Sequence, residues 1–322
     1  MLPNLLTIHP LTLLPNQSVN FDVLVWDDQS RTAIKFLEAD QKLSKSKFDC
    51  IAMRDGQKCY IELRDNESYR EYLHRGLMQA EVDQRIPAAL KLTLLLECIR
   101  FKLQDAFDSG SLSTWIDSAY ELAHTLSERL TNPEKVGRDL LGSLRKDGSF
   151  ATHAFNTGIY CYLLSRRLML SSTDTIEFTV GGILHDVGKL GWDEDYPDQI
   201  YLPEGYLDAN SSTSQRGHPL YGFRRLAYHP KVTHPVLMSI YQHHERQDGR
   251  GYPVGIGGRD IELGSRICSV ANRWDGLMCD RRGRQGMSRL AALRSIESEK
   301  SLFWDSEIVG CLEQVMNPPS NR

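Results

Sequence analysis

Histidines and one aspartate recur at the ends of consecutive helical segments between residues 153 and 244, and this arrangement constrains the fold more than any other feature of the chain. His153 opens one segment with helical apolar spacing, His185-Asp186 closes the next, His218 sits on a third, and His243-His244 end a fourth. Neutral imidazoles and carboxylates are the usual ligands of iron, manganese, zinc and similar ions. Ligands spread over several helices are how helical bundles build metal sites in their cores. Several buried imidazoles without partners would carry a large desolvation cost, so the pattern asks for helices that converge on ions. An aspartate beside a histidine can bridge two ions, and a bridged pair suits phosphoryl chemistry because it generates hydroxide and stabilises charge on phosphate oxygens. His9, His74, His124, His229 and His234 fall outside this pattern and read as surface or packed residues.

The apolar spacing predicts helices near 150–170, 174–187, 214–227, 233–245, 262–280 and 287–298. Earlier, "SYREYLHRGLMQAEV" and "AALKLTLLLECIRFKLQDAF" are also helical in spacing, and Asn132-Pro133-Glu134 reads as a helix start. Residues 18–64 look β-rich: "VNFDVLVW" alternates in part, and "FDCIAMRDGQKCYIEL" reads as two strands about an Asp55-Gly56 turn. The expected fold is mainly α: a small β-rich or α+β domain at 1–66, a helical connector at 67–140, and an all-α bundle at 141–322. The acidic loop 191–212 has the length of a lid or binding loop.

Composition narrows the function. Apolar residues make up 41% and charged residues 25%, enough for a substantial core, and the net charge of −4 argues against a duplex nucleic-acid partner. The seven cysteines are scattered with no CxxC pair, which fits a reducing compartment. The N-terminal stretch has no basic n-region and carries Pro3, Pro10 and Pro15, so it does not read as a signal peptide. The longest apolar run, "LKLTLLLECI", is too short to span a bilayer. A cytoplasmic protein without membrane attachment is expected.

Three motifs in order, "LHDVGKLG", "GHPLYG" and "HHERQDGRGYP", resemble the HD-GYP family of HD-superfamily phosphohydrolases over about residues 150–285. "THAFNTGIYCYLLSRRL" is similar to the family's first histidine helix, and "SRICSVANRWDGLMCDRR" to its late helix. The resemblance implies an all-α bundle that hydrolyses cyclic di-GMP to pGpG, in some members on to GMP, within bacterial second-messenger signalling. It implies two divalent ions, iron or manganese foremost, with zinc, nickel or magnesium as alternatives. One ion would use His153, His185, Asp186 and the late-helix residue Asn272; the second would use Asp186, His218, His243 and His244. Lys189 matches a lysine that contacts substrate phosphate, and Asp186 and Lys189 are the expected catalytic pair. Arg281 and Arg284, with Arg282 between them, match basic residues that grip phosphate or guanine, and Asp275 an acid that meets a guanine edge. In the Gly-Tyr-Pro loop, Gly249 and Gly251 permit unusual turns and Pro253 stiffens the exit; Gly251 and Tyr252 are expected substrate contacts, Tyr252 placed to stack on a base, an interaction of about 1–3 kcal/mol.

Two departures bear on activity. Ser149 stands where three-metal members carry a glutamate, so at most two ions are expected. Asn272 stands where the family writes an aspartate, and an amide brings no negative charge to the first ion. Three readings follow: an active cyclic di-GMP phosphodiesterase; a catalytically weak or inactive relative that senses the dinucleotide or docks a diguanylate cyclase or other signalling protein; and an HD-type hydrolase of mononucleotides, which the Tyr252 loop disfavours. A homodimer is compatible with all three.

Overall fold

The computed structural model describes residues 4–27, 29–52, 59–130, 140–141, 144–146, 148–189, 213–280 and 285–317. The expected Asp55-Gly56 turn, the Asn132-Pro133-Glu134 helix start, the loop 191–212 and Arg281, Arg282 and Arg284 lie outside these residues. The protein is mainly α with a small antiparallel sheet. It divides into two compact units, Met1–Phe101 and Lys102–Arg322.

In the first unit four strands, β1 (Leu5–Ile8), β2 (Val23–Asp27), β3 (Thr32–Leu37) and β4 (Cys59–Glu62), form a sheet of order β1-β4-β2-β3. β1 pairs antiparallel with β4 from Leu5–Glu62 to Ile8–Cys59, and β2 and β3 form a hairpin. Helix α1 (Lys45–Ala52) occupies the place where the sequence suggests the first strand of a hairpin. Ser44 explains the difference: its hydroxyl accepts from the Lys47 amide at 3.3 Å and its carbonyl from the Phe48 amide at 2.9 Å, which starts a helix. The second predicted strand of that pair is β4. Helix α2 (Asn66–Val82) and the first part of α3 (Ala88–Asp108) pack with the sheet. Phe21 meets Tyr69 and Tyr72 edge-on, each at 5.6 Å, and the Tyr72 hydroxyl accepts from the Leu14 amide at 2.6 Å. This gives the polar tip of a buried aromatic its partner.

The second unit is helical: α4 (Leu112–Arg129), α5 (Phe150–Arg167), α6 (Ser172–Leu184), α7 (Thr213–Leu226), α8 (His234–Gln242), α9 (Leu263–Met278), α10 (Arg289–Glu299) and α11 (Ser306–Met316). The centre is α6, whose last seven residues are all buried and which packs against α4, α5, α8 and α9. Such a helix must be apolar around its whole circumference, as "FTVGGIL" is. Its glycines set the spacing: a Cβ at Gly182 would fall 2.6 Å from the Cys161 sulfur, and one at Gly181 2.6 Å from Ser239. Helices α5 and α8 can therefore lie close on either side and bring their histidines to the end of α6. The outer core is built by Trp274, Ile267, Leu312 and Ile296 from α9, α11 and α10. Among the described residues no helix is long and apolar enough to cross a membrane, and all seven cysteines are free thiols.

Candidate metal centre

Local signals place each histidine. Ser149 is the N-cap of α5, its hydroxyl accepting from the Thr152 amide at 3.2 Å, so His153 sits one turn inside that helix. Ser149 thus serves this chain as a helix cap. His185 and His243 are the C-caps of α6 and α8, where an imidazole also suits the negative end of the helix. In both, Nδ1 faces a carbonyl of the preceding turn: Gly182 at 2.8 Å for His185, Ile240 at 2.9 Å for His243. Donation to these carbonyls leaves each Nε2 as a lone pair aimed at the centre.

Asp186 is where the helices meet. It is buried, its Oδ1 lying 2.9 Å from His218 Nε2 and 3.7 Å from His243 Nε2, and its Oδ2 3.4 Å from His185 Nε2 and 3.9 Å from His153 Nε2. Two groups of donor atoms share it: Asp186 with His218, His243 and His244, and Asp186 with His153 and His185. Lys189 reaches Asp186 Oδ2 at 2.6 Å from the short 3-10 turn Val187–Lys189 and keeps a third of its side chain exposed.

The approach of α7 depends on Gly188. A Cβ there would fall 2.0 Å from the His218 carbonyl and 2.7 Å from the Gly222 amide. Only glycine lets the turn after Asp186 lie on the helix that carries His218.

The electrostatics fit a cation. Burial pushes Asp186 up, but the attraction of His185, Lys189 and His218 outweighs it and holds the carboxyl well below its usual range. Burial, reinforced by neighbouring imidazoles, holds His243 and His244 well below the normal histidine range, so both are neutral. His185 Nε2 and Asp186 Oδ1 are buried without a hydrogen-bond partner of good geometry, and His218 Nε2 and His243 Nε2 face each other at 3.1 Å. Buried donors and acceptors left in this way need an explanation; lone pairs converging on one point are satisfied by divalent ions.

The remaining expected site residues are placed differently. Tyr252 lies flat on the His244 ring, and burial pushes its hydroxyl pKa up. Arg216, which the sequence does not single out, sits over the tyrosine ring at 5.3 Å. Gly251 is a packing residue and not an exposed substrate contact: a Cβ would fall 2.4 Å from Glu245 Cα and 2.6 Å from the His244 carbonyl. Gly249 does take a positive φ, of 71°. Asp275 corrects an expectation. It is 1% exposed, with Oδ2 on His153 Nδ1 at 2.7 Å and Oδ1 on Asn156 Nδ2 at 2.7 Å, so neither oxygen is open to a guanine edge. Asn272, one turn before it on α9, is half-buried and makes no side-chain hydrogen bond among the described residues. Glu245, to which the sequence assigns no role, accepts from the Val254 amide at 2.7 Å and the Gly255 amide at 3.1 Å and ties down the loop after Tyr252.

Fold and donor set together define a helical protein with a histidine–aspartate centre for divalent metal ions. The chain belongs to the HD domain family, whose model matches residues 119–308. It is similar to a probable cyclic di-GMP phosphodiesterase of Vibrio cholerae serotype O1, 30% identical over 51% of this chain and 40% of that one. It is also similar to a 3'3'-cGAMP-specific phosphodiesterase 3 of the same organism, 30% identical over 52% of this chain and 35% of that one. A cyclic di-GMP phosphodiesterase of Thermotoga maritima is 26% identical over 68% of this chain and 62% of that one. The chain thus spans between about a third and two thirds of these curated relatives. Among solved structures, the HDG"Y"P protein Bd1817 of Bdellovibrio bacteriovorus shares the fold, with a TM-score of 0.61 and 17% identity over 98% of this chain and all of that one.

Proposed function

We propose that this chain hydrolyses cyclic di-GMP to pGpG at a centre of two divalent ions that share Asp186. The observation that carries the reading is the single buried carboxylate between two sets of imidazoles. His153 and His185 would hold one ion and His218, His243 and His244 the other. Such ions supply Lewis-acid stabilisation of phosphate charge and make water more acidic. The protein's own groups do the rest. The neutral imidazoles of His243 and His244 keep lone pairs available at the working pH. Lys189, a compact cation on a partly exposed stem, leaves Asp186 to meet a non-bridging phosphate oxygen. Arg216, 5.3 Å from the Tyr252 ring, is a second cation beside that ring. Iron or manganese is the proposed metal. The relatives' names divide between cyclic di-GMP and 3'3'-cGAMP, so the proposed class is a cyclic dinucleotide and cyclic di-GMP the member we favour. Residues 1–66 are proposed as an accessory or regulatory domain, 67–140 as a connector and 141–322 as the hydrolase, working in the bacterial cytoplasm.

A second reading rests on Asn272. With no charge at that position the ion on the His153 side is held by fewer anionic groups, and the pocket would then act as a dinucleotide receptor.

The deciding experiment is anaerobic purification, metal counting and chromatography of cyclic di-GMP and 3'3'-cGAMP incubations, with Asp186→Asn as the control. About two ions per chain and pGpG from the wild type alone support the hydrolase. Dinucleotide binding without product after iron or manganese is added, with turnover appearing in Asn272→Asp, supports the receptor. Equal turnover in wild type and Asp186→Asn overturns the site.

A further inference from the structure

The two donor groups are unequal. The His218 side has three imidazoles and the Asp186 carboxylate, whereas the His153 side has two imidazoles and the same shared carboxylate. An ion on the His153 side has one imidazole fewer, and beside the shared carboxylate the resemblance adds to it only the neutral amide of Asn272. The imidazoles are also backed differently. His185 and His243 direct Nδ1 to neutral backbone carbonyls, but His153 Nδ1 lies 2.7 Å from a carboxylate, Asp275 Oδ2.

We propose that Asp275 is the positioning residue of the ion on the His153 side: it accepts the Nδ1 hydrogen of His153, holds the ring in the tautomer whose Nε2 lone pair faces Asp186, and places behind the poorer site a negative charge that its ligands lack. The inference rests on the two-ion reading above and concerns only this chain's residues. Asp275 is well held for the task. Asn156 Nδ2 donates to its Oδ1 at 2.7 Å and is itself anchored on the Arg145 carbonyl at 2.8 Å. The Cys279 thiol lies 3.4 Å from each carboxylate oxygen. His153 Nε2, on the far side of the ring, is 3.9 Å from Asp186 Oδ2. Carboxylates behind metal-bound histidines fix the tautomer and raise ligand basicity, and their loss costs roughly 10–100-fold in metal affinity.

The test uses the full chain stripped of metal. Histidine-selective ¹⁵N NMR of the wild type reads the His153 tautomer without any ion present. Mn²⁺ titration by calorimetry then compares wild type with Asp275→Asn, whose amide keeps the shape but turns a donor toward one partner. Expected are an Nδ1–H tautomer in the wild type and, in the variant, one of two binding steps weakened about 10–100-fold with the other within twofold. An Nε2–H tautomer overturns the proposal, as does Mn²⁺ binding unchanged at both steps or reduced equally at both. Where Asp275→Asn does not fold, the wild-type tautomer decides. A wild type that takes up no Mn²⁺ overturns the two-ion reading itself, whereas two normal steps with an insensitive Asp275→Asn overturn only the role of Asp275.

Discussion

The ring of Tyr252 lies on the imidazole of His244, with centroids 4.6 Å apart and planes 17° from parallel. The Tyr252 amide also faces the His244 carbonyl at 3.2 Å, so the Gly-Tyr-Pro loop is stacked and hydrogen-bonded to a residue of the donor cluster. One face of the tyrosine is occupied within the protein, and Arg216 approaches the ring at 5.3 Å. The hydroxyl makes no hydrogen bond among the described residues. Tyr252→Phe is therefore expected to leave Mn²⁺ affinity and thermal stability unchanged. Tyr252→Ala removes an aromatic pair of about 0.5–1.5 kcal/mol and should weaken one binding step by up to roughly tenfold. Calorimetric titration checks both, and an equal loss in Phe and Ala variants would show that the hydroxyl and not the ring matters.

The metal-free protein should lose stability as pH falls through the histidine range. Burial holds His243 and His244 well below the ordinary value of 6.5, so the folded state keeps them neutral where the unfolded chain protonates them. Below 6.5 the unfolded state binds more protons, and stability falls with decreasing pH by up to about 1.4 kcal/mol per unit for each histidine. The contribution is fully present above 6.5 and disappears toward the depressed folded values. Urea denaturation of the chelator-treated protein between pH 7.5 and 5.5 measures the slope; a flat profile would show that these imidazoles take up protons without unfolding.

Gly188→Ala should damage the centre without touching a donor atom. The added methyl would sit 2.0 Å from the His218 carbonyl and 2.9 Å from its carbonyl carbon, contacts that backbone cannot relieve by rotating a side chain. The turn after Asp186 and the helix bearing His218 must separate. Overpacking of this kind costs about 1–3 kcal/mol, and the separation should weaken at least one Mn²⁺ step by tenfold or more. Thermal denaturation and metal titration on the same sample test it; intact metal binding in a folded Gly188→Ala protein refutes the tight approach.

These residues show where the sequence was legible. His153, His185, Asp186, His218, His243 and His244 stand out because few other arrangements tolerate so many imidazoles at helix ends, and the helices that carry them have apolar spacing strong enough to locate within a few residues. α11 goes unmarked, and α1 reads as a strand because "FDCIA" is short and its β-compatible residues outweigh the Ser44 cap in a local reading. β1 is invisible because its partner β4 lies some fifty residues away and only that pairing makes Leu5–Ile8 a strand. Asp275 is the instructive case. Its type and position invite a substrate role, but the direction of its carboxylate depends on how α9 packs on α5, and the packing turns it inward to His153. Gly188 and Gly251 are likewise explained only by which backbone lies within 3 Å of the missing side chain.

Glu245, which follows the two histidines, should prove a clamp on the Gly-Tyr-Pro loop. Its Oε1 accepts from the Val254 amide at 2.7 Å and its Oε2 from the Gly255 amide at 3.0 Å, while the side chain is buried at 2% exposure. Burial pushes its pKa up, and the backbone amides of Val254, Gly255 and Ile256 oppose that rise without cancelling it. Glu245→Gln keeps the size but turns an NH₂ toward a backbone N–H, leaving a buried donor without an acceptor at a cost of about 1–3 kcal/mol. In a chain of this size that corresponds to a fall in Tm of roughly 1–5 °C. Because the loop stacks on His244 through Tyr252, the step weakened in the Mn²⁺ titration should be the one that Tyr252→Ala weakens, and the loss in the double variant should be smaller than the sum of the two single losses. Strictly additive losses would mean that Glu245 stabilises the loop without setting the position of Tyr252 on His244, and an unchanged Tm would remove the clamp altogether.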